Sequence, residues 1–159
     1  MAPQPGRSFP TQSLRDQAGR PAAAPRGQRL YGFFKTTCPT CEMAWPYLDR
    51  VRNLAHGGKL SVWGVSQDDP EATRDFSRRL GVEIATLYDP KPWPASEELG
   101  ITSVPTFLLV GEDDKIRDAS EGFQRHKMEE FASLAARLAG HPDSGLFGPD
   151  EQVPAIKPG

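Results

Sequence analysis

Apolar residues in this chain form short continuous runs separated by stretches with helical spacing. The runs "LYGFF" (30–34) and "LSVWGVS" (60–66) have the length and the aromatic or β-branched content of buried strands. Between them, apolar residues recur every three or four positions and stop at Gly57, which is typical of an amphipathic helix; they are Ala44, Tyr47, Leu48, Val51 and Leu54. The pattern predicts a strand–helix–strand unit.

A second helix is predicted directly after this unit. Asp69 suits the N-cap position and Pro70 the first helical position, where its missing N–H is not needed. The helix is expected to end at Gly81. The following run "IATLYD" (84–89) fits either a short strand or an extended connection, and a short helix, "ASEELG", is expected after the loop "PKPWP".

The last third of the chain predicts a hairpin and a helix. The run "PTFLLVG" (105–111) is a strand, "EDDK" is a turn, and residues 116–122 form the antiparallel partner strand. The final helix ends before Gly140, and one face of it is apolar, with Met128, Phe131, Leu134, Ala135 and Leu138.

The element order, β-α-β-α-(β)-α-β-β-α, predicts an α/β fold. Alternating strands and helices favour a parallel core, to which the late hairpin adds an antiparallel edge, so we expect a three-layer α/β/α sandwich around a mixed sheet in residues 29–140. Residues 1–28 are a leading arm with a candidate hairpin around "RDQAGRP". The Pro/Gly-rich tail, residues 141–159, could cover the site, tether another chain or be a disordered end.

Length and charge exclude several classes of protein. The 159 residues amount to one domain, and a net charge of −2 gives no reason to expect nucleic acid or an anionic membrane as partner. No stretch reaches the roughly 20 apolar residues of a membrane span, and no signal peptide is visible. The expected location is extracytoplasmic if a signal or anchor precedes this sequence, and cytoplasmic otherwise; a monomer is the expected state.

The two cysteines, Cys38 and Cys41, are the strongest candidates for chemistry. With Pro39 at the first helical position, Cys38 becomes the N-cap, and the helix end should stabilise its thiolate. Such an environment lowers the pKa of a cysteine into a range of about 3.5 to 7.5. Cys41, one turn further on, can then attack a mixed disulfide formed on Cys38.

Two other interpretations of this spacing remain open. A zinc site normally needs a second pair of ligands, but the chain has no other cysteine, and His56, His126 and His141 show no ligand spacing. An inert structural disulfide would close so small a loop that it would constrain the unfolded chain little. A redox pair is therefore the preferred hypothesis, with no metal and no dissociable cofactor.

The segment "FFKTTCPTCEMAWPYLDRV" resembles the active-site region of the thioredoxin superfamily, including Pro46 five residues after Cys41. The later "SVPTFLLV" is similar to the family's cis-proline loop. The resemblance implies that Pro105 packs beside the redox pair in a cis bond and that Val104 binds a substrate backbone. It also implies that Pro39 and Thr40 shape the site and its potential. The segments 65–82 and 87–107 look more like the TlpA/ResA and peroxiredoxin-related branch.

The sequence departs from the family where many thioredoxins have a buried acid, because Gly32 occupies that place. The proton acceptor for Cys41 must then be another group, and Lys35, Glu42 and a water molecule are the candidates. Lys35 could also favour the Cys38 thiolate, although a solvated lysine is the commoner case.

These features predict a thiol–disulfide oxidoreductase that exchanges with a partner protein, with Cys38 as nucleophile and Cys41 as resolving cysteine. One alternative is a peroxidase of the peroxiredoxin type, in which Cys38 takes a peroxide oxygen. That family's motif has proline and threonine where this chain has Tyr31 and Lys35. A second alternative is a non-enzymatic metal-binding or interaction module.

Overall fold

The computed structural model of the chain describes residues 3–159, so Met1 and Ala2 of the predicted arm lie outside the described residues. The secondary structure follows the predicted order, with the segment around 84–89 resolved as a strand. The elements are a 3-10 helix (Thr11–Ser13), β1 (Gln28–Phe34), α1 (Pro39–Ala55), β2 (Leu60–Ser66), α2 (Pro70–Leu80), β3 (Ala85–Tyr88), α3 (Pro94–Leu99), β4 (Thr106–Val110), β5 (Ile116–Glu121), β6 (Phe123–Gln124), α4 (Arg125–Ala139) and β7 (Ile156–Lys157).

Five strands form a mixed central sheet in the order β3-β2-β1-β4-β5. The first three are parallel, whereas β4 runs antiparallel to β1 and pairs with β5 as a hairpin. This confirms the predicted α/β class, with the sheet of a thioredoxin-like fold. A separate two-stranded antiparallel sheet, β6 with β7, was not predicted.

One face of the sheet lies under α1, α2 and α4. The crossovers from β1 to β2 and from β2 to β3 step in the same direction, and because such crossovers are right-handed, α1 and α2 lie on the same side. Trp45 of α1 contacts Phe34 of β1 and Phe76 of α2, with ring centroids 4.4 and 6.3 Å away. The aromatic cluster is the core beneath the candidate site.

The opposite face of the sheet is covered by the leading arm. Side chains alternate along β1, so Tyr31 and Phe33 point away from Trp45. Phe9 of the arm stacks on Tyr31 with ring centroids 4.3 Å apart and meets Phe33 edge-on at 6.3 Å. Phe9 is only 3% exposed, and Leu14 is fully buried. Phe9 and Leu14 of the predicted arm therefore complete the core of the second face.

A short hairpin is present in the arm at the predicted place. An antiparallel bridge joins Arg15 and Pro21, and the Asp16 amide donates to the Arg20 carbonyl at 2.8 Å. The division of the chain at residues 28 and 140 stays a prediction. In the described part of the chain, no helix is both long and apolar enough to cross a bilayer.

Candidate active site

Cys38 lies at the N-terminal end of α1, as its position before Pro39 predicts. Its backbone is extended, and the Cys41 amide donates a hydrogen bond to the Cys38 sulfur at 3.1 Å. Cys38 is partly exposed, and Pro39 beside it is exposed. Because a helix N-terminus carries unsatisfied amides and a positive partial charge, this sulfur sits where negative charge is favoured.

Cys41 is fully buried, one turn into α1. Burial raises the pKa of the Cys41 thiol, and its hydrogen bond to the Cys38 sulfur raises that pKa further, whereas a hydrogen bond from the Lys35 backbone opposes the shift. Both cysteines are free thiols. The pair thus combines one thiol that solvent can reach with one that stays neutral and hidden behind it.

The loop before β4 completes the site from a distant part of the sequence. The Val104–Pro105 bond is cis, as the resemblance predicts, and the Cys38 thiol donates to the Val104 carbonyl at 3.4 Å. The Gly122 amide donates to the Pro105 carbonyl at 2.8 Å, which ties this loop to the end of β5. Val104 and Pro105 therefore lie beside the cysteine pair.

Thr40, which was expected to shape the site, is buried rather than open to a substrate. Its hydroxyl donates to the Pro158 carbonyl at 2.7 Å, so the tail covers it. No periodicity in residues 141–159 indicated this contact. The tail is neither detached from the domain nor distant from the cysteines.

The two candidate modulators of the pair interact with other groups. The Glu42 carboxylate accepts a hydrogen bond from Arg79 of α2 at 2.6 Å, on the exposed outer side of α1. The Lys35 ammonium lies 5.0 Å from the centre of the Trp93 ring. With Glu42 engaged by Arg79, the structure favours other groups as proton acceptor for Cys41.

Gly32, at the place of the family's buried acid, has no room for a side chain. A Cβ atom built there would lie 2.9 Å from Cη2 of Trp45 and 3.1 Å from Cδ2 of Leu48. Trp45 is 1% exposed, and its ring therefore fills the space that the acid would occupy. The sequence indicates that the acid is absent, and the packing shows that the Trp45 ring occupies its place.

Asp68 binds the loop that leads into Cys38, a contact that no pattern in the sequence indicated. Its carboxylate accepts hydrogen bonds from the amide and the hydroxyl of Thr36 at 2.7 and 2.9 Å. The neighbouring Asp69 is the cap, accepting from the Ala72 amide at 2.8 Å, as predicted.

A groove of about 300 Å³ opens beside the site, between the loop that precedes α3 and the Val104 loop. Its wall includes Trp93, whose indole N–H donates to the Gln67 carbonyl at 3.1 Å, and Lys35 and Ile101 also line it. The groove adds a mixed polar and apolar surface close to Cys38. Among residues 3–159, no group of three or more His, Cys, Asp or Glu is arranged to hold a metal ion.

Several solved structures share this architecture at low sequence identity. A putative thiol:disulfide interchange protein DsbE from Chlorobium tepidum is 20% identical with a TM-score of 0.70, and the match covers 85% of this chain and 99% of that one. A putative protein disulfide isomerase from Bacteroides thetaiotaomicron is 16% identical with a TM-score of 0.73, and the match covers 89% of this chain and 96% of that one. A secreted disulfide oxidoreductase from Mycobacterium tuberculosis is 15% identical with a TM-score of 0.60, and the match covers 76% of this chain and 93% of that one.

These likenesses show a thioredoxin-like fold, and the chain carries two cysteines at the C-x-x-C spacing at the start of α1. No curated protein matches the chain. The family model described as Redoxin matches residues 4–138, which include most of the arm, the cysteine pair and the cis-proline loop. With most of its length matched, the chain belongs to the Redoxin family, within the thioredoxin superfamily.

Proposed function

We propose that the chain is a thiol–disulfide oxidoreductase that exchanges electrons with a disulfide or dithiol of a partner protein. The observation that carries the proposal is the asymmetry of the pair: Cys38 is partly exposed at a helix N-terminus, and Cys41 is buried and hydrogen-bonded to it. A pair so arranged can form a mixed disulfide at one sulfur only and resolve it with the other.

In the reductive direction, the Cys38 thiolate attacks one sulfur of the partner disulfide. A bond forms between Cys38 Sγ and that sulfur, the partner S–S bond breaks, and the second partner sulfur leaves as a thiolate. Cys41 then loses its proton to the departing thiolate or to water and attacks Cys38 Sγ. This releases the first partner sulfur and leaves Cys38 and Cys41 as a disulfide, so the partner gains two electrons that this chain loses.

The burial of Cys41 sets the order of these steps. A thiol that is neutral and shielded from solvent cannot compete with Cys38 for the partner, since the thiolate is the reactive form. The second step therefore depends on removing the Cys41 proton, and the proposed acceptor is a water molecule or the leaving thiolate. Val104 and Pro105 beside Cys38, with Pro39 at the helix start, are proposed to receive the backbone of the partner.

The test compares Cys41→Ser with Cys38→Ser, each containing a single sulfur. Cys41→Ser should accumulate one mixed disulfide per chain with a disulfide-containing protein such as insulin, and Cys38→Ser should accumulate none. Neither variant should catalyse reduction of insulin by dithiothreitol, which the wild type should accelerate. Equal trapping by both variants, or turnover without Cys38, would overturn the assignment.

Two further measurements define the chemistry. Rapid consumption of hydrogen peroxide by the reduced protein would replace this proposal with the peroxidase alternative. The equilibrium of the cysteine pair with glutathione gives its potential, and family potentials spread over roughly 150 mV, so the value distinguishes a reductant from an oxidant.

A further inference from the structure

The tail is fixed to the domain before it reaches the site. An anchor, residues 147–151, holds it to α1. The Phe147 ring packs edge-on against Tyr47 with centroids 4.9 Å apart, and Arg50 donates two hydrogen bonds to the Glu151 carboxylate, at 2.7 and 2.8 Å. These hydrogen bonds hold the pKa of Glu151 at about 2, so the ion pair persists at neutral pH.

Beyond the anchor, residues 155–159, here called the tail segment, are held in a different way. Strand β7 pairs antiparallel with β6, and the Arg125 amide donates to the Ala155 carbonyl at 2.9 Å. The side chains contribute little burial, since Ile156 is 68% exposed and is the one exposed large hydrophobic residue in the described part of the chain. The attachment therefore depends mainly on backbone hydrogen bonds.

The tail segment ends against the groups that surround Cys38. The Thr40 hydroxyl donates to the Pro158 carbonyl at 2.7 Å. Gly159 is packed so closely on the Val104 carbonyl that a Cβ atom at position 159 would overlap with it. This carbonyl is the one that accepts a hydrogen bond from the Cys38 thiol.

We propose that the tail segment occupies, within the same chain, the surface on which an extended segment of the partner protein docks, and that a partner must displace it to reach Cys38. This inference rests on the proposed function. Addition of a strand to an exposed edge is a general mode of peptide binding, in which backbone hydrogen bonds give affinity and side chains give specificity. The tail segment already binds in this mode, on β6.

The contacts of the tail segment also indicate what kind of partner segment can bind to this surface. It presents an extended segment with free backbone groups for β6, and a small residue where Gly159 meets the Val104 carbonyl. The anchor holds the competing tail segment close to its site through a linker of three residues, 152–154, which gives it a high effective concentration. If the segment is released in roughly a tenth to a third of the molecules, the partner reacts about 3- to 10-fold more slowly than it would with an open site.

The experiment compares two substitutions in the full chain. Lys157→Pro removes a donor from the short ladder between β6 and β7, whereas Lys157→Ala removes the same charge and keeps the donor. We expect Lys157→Pro to reduce a peptide disulfide, and to react with a bulky maleimide at Cys38, about 3- to 10-fold faster than wild type. Lys157→Ala should react at nearly the wild-type rate. The peptide Ala-Ile-Lys-Pro-Gly, added in excess, should slow Lys157→Pro again.

Equal rates for the two variants, with circular dichroism and melting temperature unchanged, would overturn the proposal. Removal of residues 155–159 provides a second test with the same expectation, and an unchanged or lower rate would count against it. The maleimide reaction needs no redox turnover. The wild-type chain could fail to reduce disulfides while Lys157→Pro still reacts faster with the maleimide than wild type does. That result would refute the proposed function, but it would still support the inference that the tail segment covers Cys38.

Discussion

The buried thiol of Cys41 makes the stability of the reduced protein depend on alkaline pH. Its pKa is raised in the folded state by burial and by the hydrogen bond to Cys38, whereas an unfolded cysteine has a pKa near 8.5. Below about pH 8.5 both states keep the proton, and the stabilising contribution is complete. Above it, the unfolded chain loses the proton and the folded protein does not, so the free energy of unfolding falls as the pH rises towards the folded pKa.

The expected size of this effect follows from the linkage relation. Between pH 8 and pH 10, a thiol that stays protonated when folded and titrates near 8.5 when unfolded reduces the free energy of unfolding by about 2 kcal/mol. With a urea m-value of roughly 2 kcal/mol/M for a chain of this length, the midpoint moves by about 1 M. Such a shift is well within measurement.

The assay is urea unfolding of the reduced protein at pH 8, 9 and 10, for wild type and Cys41→Ser. Burial also raises the pKa of Tyr31 and of Tyr88, but these groups are present in both proteins, and their effect cancels in the difference. Wild type should lose about 2 kcal/mol more than the variant. A parallel loss in the two proteins would show that Cys41 ionises in the fold, and would refute the reasoning about the resolving step.

Three further substitutions test the packing around the site. Phe9→Ala should lower the free energy of unfolding by about 3–5 kcal/mol, since the ring is buried; a loss under about 1 kcal/mol would show that the arm is not part of the core. Gly32→Asp should lower the free energy of unfolding by about 3 kcal/mol or more, because the new Cβ would overlap with the Trp45 ring and the new carboxylate would be buried. A melting temperature equal to that of wild type would contradict this. Asp69→Ala should lower the free energy of unfolding by about 1 kcal/mol, because the Ala72 amide loses its acceptor, whereas Asp69→Asn should keep most of that stability. Equal losses in the two variants would argue against the cap.

The parts of the structure that could be predicted from sequence have short-range signals. The apolar pattern located the long helices and the strands β1, β2, β4 and β5, and left β3 as one of two alternatives. Pro39 after Cys38 indicated the N-cap because proline is favoured at the first helical position. The cis bond at Pro105 was predicted from the resemblance and is present. In each case, neighbouring residues or a recognised motif carry the information.

The parts that could not be predicted depend on contacts between distant residues. The tail segment binds through its backbone, and backbone hydrogen bonds leave no pattern of apolar positions to detect. The stacking of Phe9 on Tyr31 joins two residues from segments that periodicity cannot relate. The buried position of Thr40 follows from the tail, so it was missed together with the tail.

The close contact between Gly32 and Trp45 makes these two positions interdependent. An acid at position 32 needs the volume that the indole occupies, and a smaller side chain at position 45 alone would leave a cavity beneath the cysteine pair. Among relatives of this chain, a carboxylate at the first position should therefore occur together with a reduced side chain at the second. The two positions would then covary, and a proton relay could be gained or lost in this lineage only through a paired exchange.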